Sequence, residues 1–128
     1  MTDIAQHIHA AFADNDAVAA VYLLGSALTG RLRGDSDIDI AILPANRCAI
    51  SVQERLQVAA RLELALGRTI DIGVLDGMNL VYAHEAILKG RRIVTRDINY
   101  TDAAETRFLG CYLQLREDRR EIEGAYSS

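Results

Sequence analysis

Apolar residues along this chain follow two spacings, one typical of amphipathic helices and one typical of strands. The helical spacing occurs in four segments, at residues 3–13, 52–66, 79–89 and 102–123. Apolar runs of strand length lie between these segments, at residues 18–24, 38–43, 69–75 and, more briefly, 92–94. Because the two kinds of segment alternate, we expect an α/β or α+β fold in which helices flank a small mixed β-sheet.

Capping residues indicate where two of the helices begin. Ser51 with Glu54 three residues later is a capping box, and Gly67 suits the position just after the same helix ends. Asp102 with Glu105 predicts the start of the final helix in the same way. The connection between the first two strands, residues 26–34, is expected to form a turn or a short helix.

Three aspartates accompany the predicted second and third strands. Asp37 and Asp39 open the second strand, where positions i and i+2 point to the same face of a sheet. Two adjacent carboxylates repel each other, so one takes up a proton unless a cation intervenes. Mg²⁺ is the natural cation, because it binds carboxylate and phosphate oxygens. Asp71, in the third strand, adds a carboxylate that can help to bind metal or accept a proton, which suits metal-assisted phosphoryl transfer.

A glycine–serine pair directly follows the first strand. Gly25 lets the backbone approach a phosphate closely, and the Ser26 hydroxyl and nearby backbone N–H groups can hold phosphate oxygens. Arg31 and Arg33 lie in the same connection and can reach a triphosphate. Each of these features alone, the aspartates included, also fits an ordinary turn, strand edge or surface. Their combination in this order and spacing favours a nucleotide site.

The motif Gly25-Ser26, ten residues and Asp37-x-Asp39 resembles the signature of the DNA polymerase β-like nucleotidyltransferase superfamily. The stretch from Gly25 to Ile40 and the length of the chain are most similar to its minimal nucleotidyltransferase (MNT) branch. Residues 87–93 are also similar to the helix-to-strand step of that branch. The resemblance covers roughly residues 18–97, and its motif is specific for the superfamily.

The resemblance implies an arrangement for the chain as a whole. Residues 1–128 are expected to form a single minimal nucleotidyltransferase domain with the nucleotidyltransferase fold. Its catalytic core would span about residues 18–97 and its C-terminal helix about residues 102–123. The final helix lies outside the motif and is expected to pack either on the domain or on a partner.

The resemblance also implies roles for the residues of the motif. Asp37 and Asp39 correspond to the two metal-binding aspartates of the family, and Asp71 falls where its third carboxylate lies. Gly25 and Ser26 correspond to the loop that holds the nucleotide phosphates. No departure from the catalytic motif is visible in this sequence.

Many MNT proteins are antitoxins paired with a HEPN-domain toxin, a helical ribonuclease. Such an antitoxin moves AMP from ATP onto a tyrosine of the toxin and so silences it. The resemblance therefore implies ATP as substrate, Mg²⁺ as cofactor and a cognate HEPN toxin as partner. The chain is not itself the HEPN partner, because no histidine follows Arg116 to Arg120 to complete the Arg-x4–6-His motif of that family.

Composition narrows the partners and the location. The chain has 128 residues, 50% of them hydrophobic, which suffices for one core. A net charge of −4 without a long basic stripe argues against nucleic acid as a direct partner. No apolar run approaches the roughly 20 residues of a membrane span, and the N-terminus lacks the pattern of a signal peptide. We therefore expect a cytoplasmic protein in which Cys48 and Cys111 are reduced, inert thiols.

Two other functions remain open at this point. A small-molecule nucleotidyltransferase, such as one that modifies an aminoglycoside, needs a place to hold its acceptor. The 128 residues leave little room for one unless a dimer supplies it. A binding-only antitoxin would cover its toxin without chemistry, but a pure binder has no need for mutually repelling aspartates. A template-directed polymerase is disfavoured, because the chain offers no basic channel for nucleic acid.

Overall fold

The computed structural model describes residues 2–25 and 37–126 of the chain, which contain four helices and four strands. The elements are α1 (Thr2–Phe12), β1 (Val18–Leu24), β2 (Ile38–Pro44), α2 (Val52–Leu66), β3 (Ile70–Val74), α3 (Leu80–Lys89), β4 (Arg91–Thr95) and α4 (Ile98–Tyr126). The expected α/β character is confirmed. The turn or short helix predicted at residues 26–34 lies outside the described residues.

The four strands form one mixed sheet in the order β3-β2-β1-β4. Strand β1 runs antiparallel to both β2 and β4, whereas β2 and β3 are parallel. A parallel pair needs a crossover connection, and α2 provides it between β2 and β3. The expected small mixed sheet flanked by helices is therefore confirmed, with β3 and β4 as its edges.

Each face of the sheet packs against a different pair of helices. Ile38, Ile40 and Ile42 of β2 join one apolar cluster with residues of α1 and α2. Ala41 and Leu43, the alternate positions of the same strand, join a second cluster with residues of α3 and α4. Because side chains alternate along a strand, position 39 belongs to the α3/α4 face. The carboxylates therefore lie on the side of the sheet that α3 and α4 cover.

The predicted ends of α2 are confirmed in the structure. Ser51 Oγ accepts a hydrogen bond of 3.0 Å from the backbone N–H of Glu54 and donates one of 3.3 Å to its carboxylate. Gly67 adopts φ 68°, a left-handed conformation that favours glycine, and its N–H donates to the carbonyl of Glu63 over 2.8 Å. The helix therefore ends where the glycine indicates.

The final helix begins earlier than its sequence predicts. The Asp97 carboxylate accepts a hydrogen bond of 3.0 Å from the backbone N–H of Tyr100, which is the geometry of a helix cap. Helix α4 consequently starts at Ile98, four residues before the expected Asp102. Asp97 provides the same chemistry as Asp102, and the structure shows that the earlier aspartate is the cap. No helix among the described residues is long and apolar enough to cross a membrane.

Asp102 and Glu105 instead tie α4 to the sheet. One guanidinium nitrogen of Arg92, in β4, lies 3.0 Å from a carboxylate oxygen of each. The Tyr22 hydroxyl, in β1, donates a hydrogen bond of 2.6 Å to the same oxygen of Glu105. Burial and this hydrogen bond raise the pKa of Tyr22 well above its ordinary value, so its hydroxyl remains a donor. The network joins two strands to the helix above them.

The outer edge of β3 is covered by two side chains of α2. The Ile70 N–H donates to a carboxylate oxygen of Glu63 over 3.1 Å. The Ile72 carbonyl accepts a longer contact, 3.4 Å, from a terminal nitrogen of Arg55. Covering an edge strand in this way protects it from pairing with other chains. The same arrangement places a guanidinium beside the strand that carries Asp71.

Replacing Glu105 by alanine should destabilise the domain. The change leaves the buried Tyr22 hydroxyl without its acceptor, and a lost hydrogen bond to a charged group costs about 1–3 kcal/mol of unfolding free energy. Urea unfolding should show a lower midpoint for Glu105→Ala than for Glu117→Ala, which removes an exposed carboxylate 3.7 Å from Arg120. Equal midpoints for the two variants would contradict the role assigned to the network.

Candidate active site

The pairing of β2 with β3 brings two aspartates side by side. Asp39 and Asp71 are direct partners in the parallel register, between Ile38–Ile70 and Ile40–Ile72. Neighbouring strands are about 4.8 Å apart, and partners in register point to the same face. The isoleucines on either side point to the opposite face and anchor both strands in the core. Two carboxylates from separate parts of the sequence are thereby held together.

Gly25 lies on the side of Asp39 opposite to Asp71, because β2 runs between β1 and β3. It follows Leu24, the residue of β1 that pairs with Asp39. Gly25 has φ 70°, and a Cβ added to it would lie 3.3 Å from Oδ2 of Asp39. A side chain here would be strained and would crowd the carboxylate. The glycine therefore leaves space for a ligand directly against Asp39.

Asp37 contributes a third negative charge. It is exposed and lies one residue before β2, at the start of the strand as its sequence predicts. Burial, the Asp71 carboxylate and the Asp37 carboxylate raise the pKa of Asp39 above its usual value. Asp37 and Asp71 are thus both close enough to Asp39 to influence it.

This donor set fits a magnesium ion that is shared with a substrate. Within residues 2–25 and 37–126, no group of three or more His, Cys, Asp or Glu side chains is arranged so that it could hold a metal ion. Mg²⁺, however, is usually bound through one or two carboxylates together with substrate phosphates, not in an all-protein cage. The mutual repulsion at Asp39 and the space at Gly25 fit that kind of partial site.

Tyr82 is a site residue that its sequence does not reveal. A Cβ on Gly73 would collide with the Tyr82 hydroxyl and ring, so the phenol lies directly on the backbone of β3. Burial and the carboxylates of Asp71 and Asp39 raise the pKa of Tyr82. A glycine inside a strand often marks a close approach, and this was the available signal. The partner of that approach is identified only by the packing of α3 on the sheet.

A cavity of about 510 Å³ opens next to Asp39. Its walls include Gly25, Tyr82 and an exposed ion pair, in which Nζ of Lys89 lies 2.8 Å from Oε2 of Glu85. The volume lies in the range of small-molecule sites, about 300–1,000 Å³. The cavity is therefore large enough for a substrate that reaches the aspartates.

The remaining predicted site residues are Ser26, Arg31 and Arg33. All three lie outside the described residues. Their assignment to the nucleotide stays a prediction, as does the assignment of each aspartate to a metal.

Comparison with known families gives a match that covers most of the chain. The family described as Polymerase beta, Nucleotidyltransferase matches residues 6–99, which include Gly25 and all three aspartates. A comparison with curated proteins finds no match.

Several solved structures have the same fold. One is a chain of a toxin–antitoxin complex with AMP-PNP, with 23% identity over 97% of this chain and 98% of that chain and a TM-score of 0.78. A chain of the toxin–antitoxin pair MntA–HepT has 20% identity over 100% of both chains and a TM-score of 0.75. A third is a chain from the complex of a tri-AMPylated Shewanella oneidensis HEPN toxin with an MNT antitoxin. It has 21% identity over 98% of this chain and 97% of that chain, and a TM-score of 0.73.

Replacing Gly73 by alanine should displace Tyr82. The added methyl group would overlap the phenol, and overpacking of this kind costs about 1–3 kcal/mol of unfolding free energy. Gly77→Ala is the matched control, because a Cβ there meets no atom within 4 Å. The unfolding free energy measured by chemical denaturation should be lower for Gly73→Ala than for Gly77→Ala by that amount. If Gly73→Ala is as stable as Gly77→Ala, the phenol does not pack on β3 as described.

Proposed function

Because this chain belongs to the polymerase beta nucleotidyltransferase family, we propose that it transfers AMP from ATP to a tyrosine hydroxyl of a HEPN-domain toxin and so inactivates the toxin. The family supplies the reaction class. The acceptor is suggested by solved relatives of the same fold, which are toxin–antitoxin complexes, one of them with AMP-PNP and one with a tri-AMPylated HEPN toxin. The chain would then act as an enzymatic antitoxin.

The observation that carries the proposal is the register of β2 and β3. It holds Asp39 beside Asp71, with Asp37 near and with space for a ligand at Gly25. A protein that only covers its partner gains nothing from carboxylates that repel one another. A transferase needs such a cluster, because it must attract a cation and the phosphates that the cation binds.

Asp37 and Asp39 are the residues that would hold Mg²⁺, with Asp71 as a further ligand or as a base. When bound, Mg²⁺ supplies neutralisation of the phosphate charge and activation of the acceptor. Gly25 lets the phosphates approach the backbone, and Ser26, Arg31 and Arg33 are assigned to the same phosphates. These roles follow the motif and the space around Asp39.

The transfer itself is a substitution at the α-phosphorus of ATP. The tyrosine oxygen forms a bond to the α-phosphorus, the bond from that phosphorus to the bridging oxygen breaks, and pyrophosphate leaves with the electron pair. A free tyrosine has a pKa of about 10, so its proton must be removed at neutral pH. Asp71, an exposed carboxylate beside Asp39, would accept that proton.

We place this reaction in the cytoplasm. ATP is available there, and Cys48 and Cys111 are both free and exposed, as is usual for proteins of a reducing compartment. The prediction of a single domain over residues 1–128 also belongs to this proposal.

Replacing Asp39 by asparagine should abolish AMP transfer without unfolding the chain. The variant keeps the size of the side chain but removes a charge that its two neighbours disfavour, so its unfolding midpoint should equal or exceed that of the wild type. The assay is intact-mass spectrometry of a co-expressed HEPN toxin after incubation with ATP and Mg²⁺. Asp14→Asn, an exposed aspartate in the turn after α1, is the matched control and should transfer normally.

Each outcome of this assay distinguishes one function. Mass added in steps of one AMP by the wild type and by Asp14→Asn, but not by Asp39→Asn, supports the proposal. A toxin that is neutralised without added mass would indicate a binding-only antitoxin. A wild type that neither modifies nor neutralises the toxin, but acts on small hydroxylated compounds, would indicate a small-molecule transferase.

A further inference from the structure

A second cavity also borders Tyr82, at the outer edge of β3. Its volume is about 410 Å³, and its polar walls are formed by Arg55 of α2, Asp76 of the β3–α3 connection, and Asn79 and Tyr82 at the start of α3. We call it the Arg55 cavity. Gly73, which the phenol of Tyr82 covers, also lines the Arg55 cavity.

The Arg55 cavity is rich in hydrogen-bond donors. The Nε of Arg55 is buried and has no hydrogen-bond partner among the described residues, and one terminal nitrogen makes only the 3.4 Å contact to the Ile72 carbonyl. A buried donor without a partner costs free energy, so such a group is suited to a ligand. The Asn79 side-chain oxygen accepts from the Tyr82 N–H over 3.3 Å, which leaves its amide hydrogens for other contacts.

The positive charge of Arg55 is not neutralised within the described part of the chain. None of the ion pairs there involves Arg55. Asp76 shares the cavity, but its Oδ1 accepts the Met78 N–H over 2.9 Å and closes a local turn. A guanidinium with free donors binds carboxylates with particular strength, because the bonds are charge-assisted and can be bidentate.

The Arg55 cavity adjoins the three aspartates without including them. Gly73 is two residues beyond Asp71 on the same face of β3. Arg55 also lines a smaller groove with Asp71 itself. Tyr82 lines both the Arg55 cavity and the 510 Å³ cavity beside Gly25 and Asp39. The two cavities therefore meet at one phenol ring, close to the strand that carries Asp71.

We propose that the Arg55 cavity is the acceptor subsite, which binds a polypeptide segment that carries a carboxylate next to the target tyrosine. This inference rests on the proposed function and deepens it. A transferase must bring two substrates to one set of carboxylates. The phosphates of ATP are assigned to the cavity beside Gly25, so the acceptor takes the other cavity that Tyr82 lines. Arg55 binds the carboxylate of the acceptor, and the Asn79 amide and Tyr82 hydroxyl bind its main-chain carbonyls.

The test is steady-state AMP transfer to the HEPN toxin by the full chain with Arg55→Met. Loss of a hydrogen bond to a charged group should raise the KM for the toxin about tenfold to a hundredfold. The KM for ATP should stay unchanged, and Arg55→Lys should recover part of the loss by restoring the charge. Arg61→Met, an exposed arginine of the same helix, is the matched control and should leave both constants unchanged.

A second variant keeps the test decisive if Arg55→Met does not fold. Asn79→Asp retains a capping oxygen for the Tyr82 N–H but replaces the amide donors by a negative charge. It should also raise the KM for the toxin and leave the KM for ATP unchanged. Unfolding curves for both variants establish that the folded protein is being compared.

Three results would overturn the inference. Unchanged constants in folded Arg55→Met and Asn79→Asp would show that the acceptor does not use this cavity. A raised KM for ATP alone would assign the cavity to the nucleotide. Both results leave the proposed function standing, because the wild type still transfers AMP. A wild type that transfers no AMP to the toxin removes the proposed function and the acceptor subsite together.

Discussion

The parallel pairing of β2 with β3 is the constraint on which the rest of the site depends. It places Asp39 directly beside Asp71, although the two residues are far apart in the chain. The two carboxylates repel each other, and the pairing of the strands holds them together despite this repulsion. The cost is offset by the alternate positions of both strands, whose isoleucines are buried against α1 and α2. The apolar face of the sheet thus holds the charged face in place.

Helix α3 completes the site from the same side of the sheet. Ala83 and Ala86 are buried against the strands, and their small size lets the helix lie close enough for Tyr82 to rest on Gly73. The phenol then lines two cavities, one beside Asp39 and one beside Arg55. A reaction between two substrates needs two such spaces, because each substrate must reach the carboxylates without displacing the other. The architecture is consistent with transfer between a nucleotide and a second molecule.

Much of the fold and part of the site could be predicted from the sequence, because the signals are local. Short apolar runs between the helical segments predict the strands, and Ser51 and Gly67 mark the ends of α2. The strand order, the pairing of Asp39 with Asp71 and the position of Tyr82 depend on contacts between distant segments, which no local pattern specifies. The predicted start of α4 at Asp102 is wrong, because Asp97 and Asp102 offer the same capping chemistry. The structure distinguishes them, since Asp97 caps the helix and Asp102 binds Arg92.

In the proposed reaction, these carboxylates direct attack on the α-phosphorus of ATP. This is tested with two preparations of ATP, one with a radioactive α-phosphorus and one with a radioactive γ-phosphorus, each incubated with Mg²⁺, the chain and a co-expressed HEPN toxin. We expect the toxin to retain the α-label and the γ-label to leave with pyrophosphate. If the toxin instead retains the γ-label, the chain transfers the terminal phosphate and not AMP, and the proposed reaction is wrong.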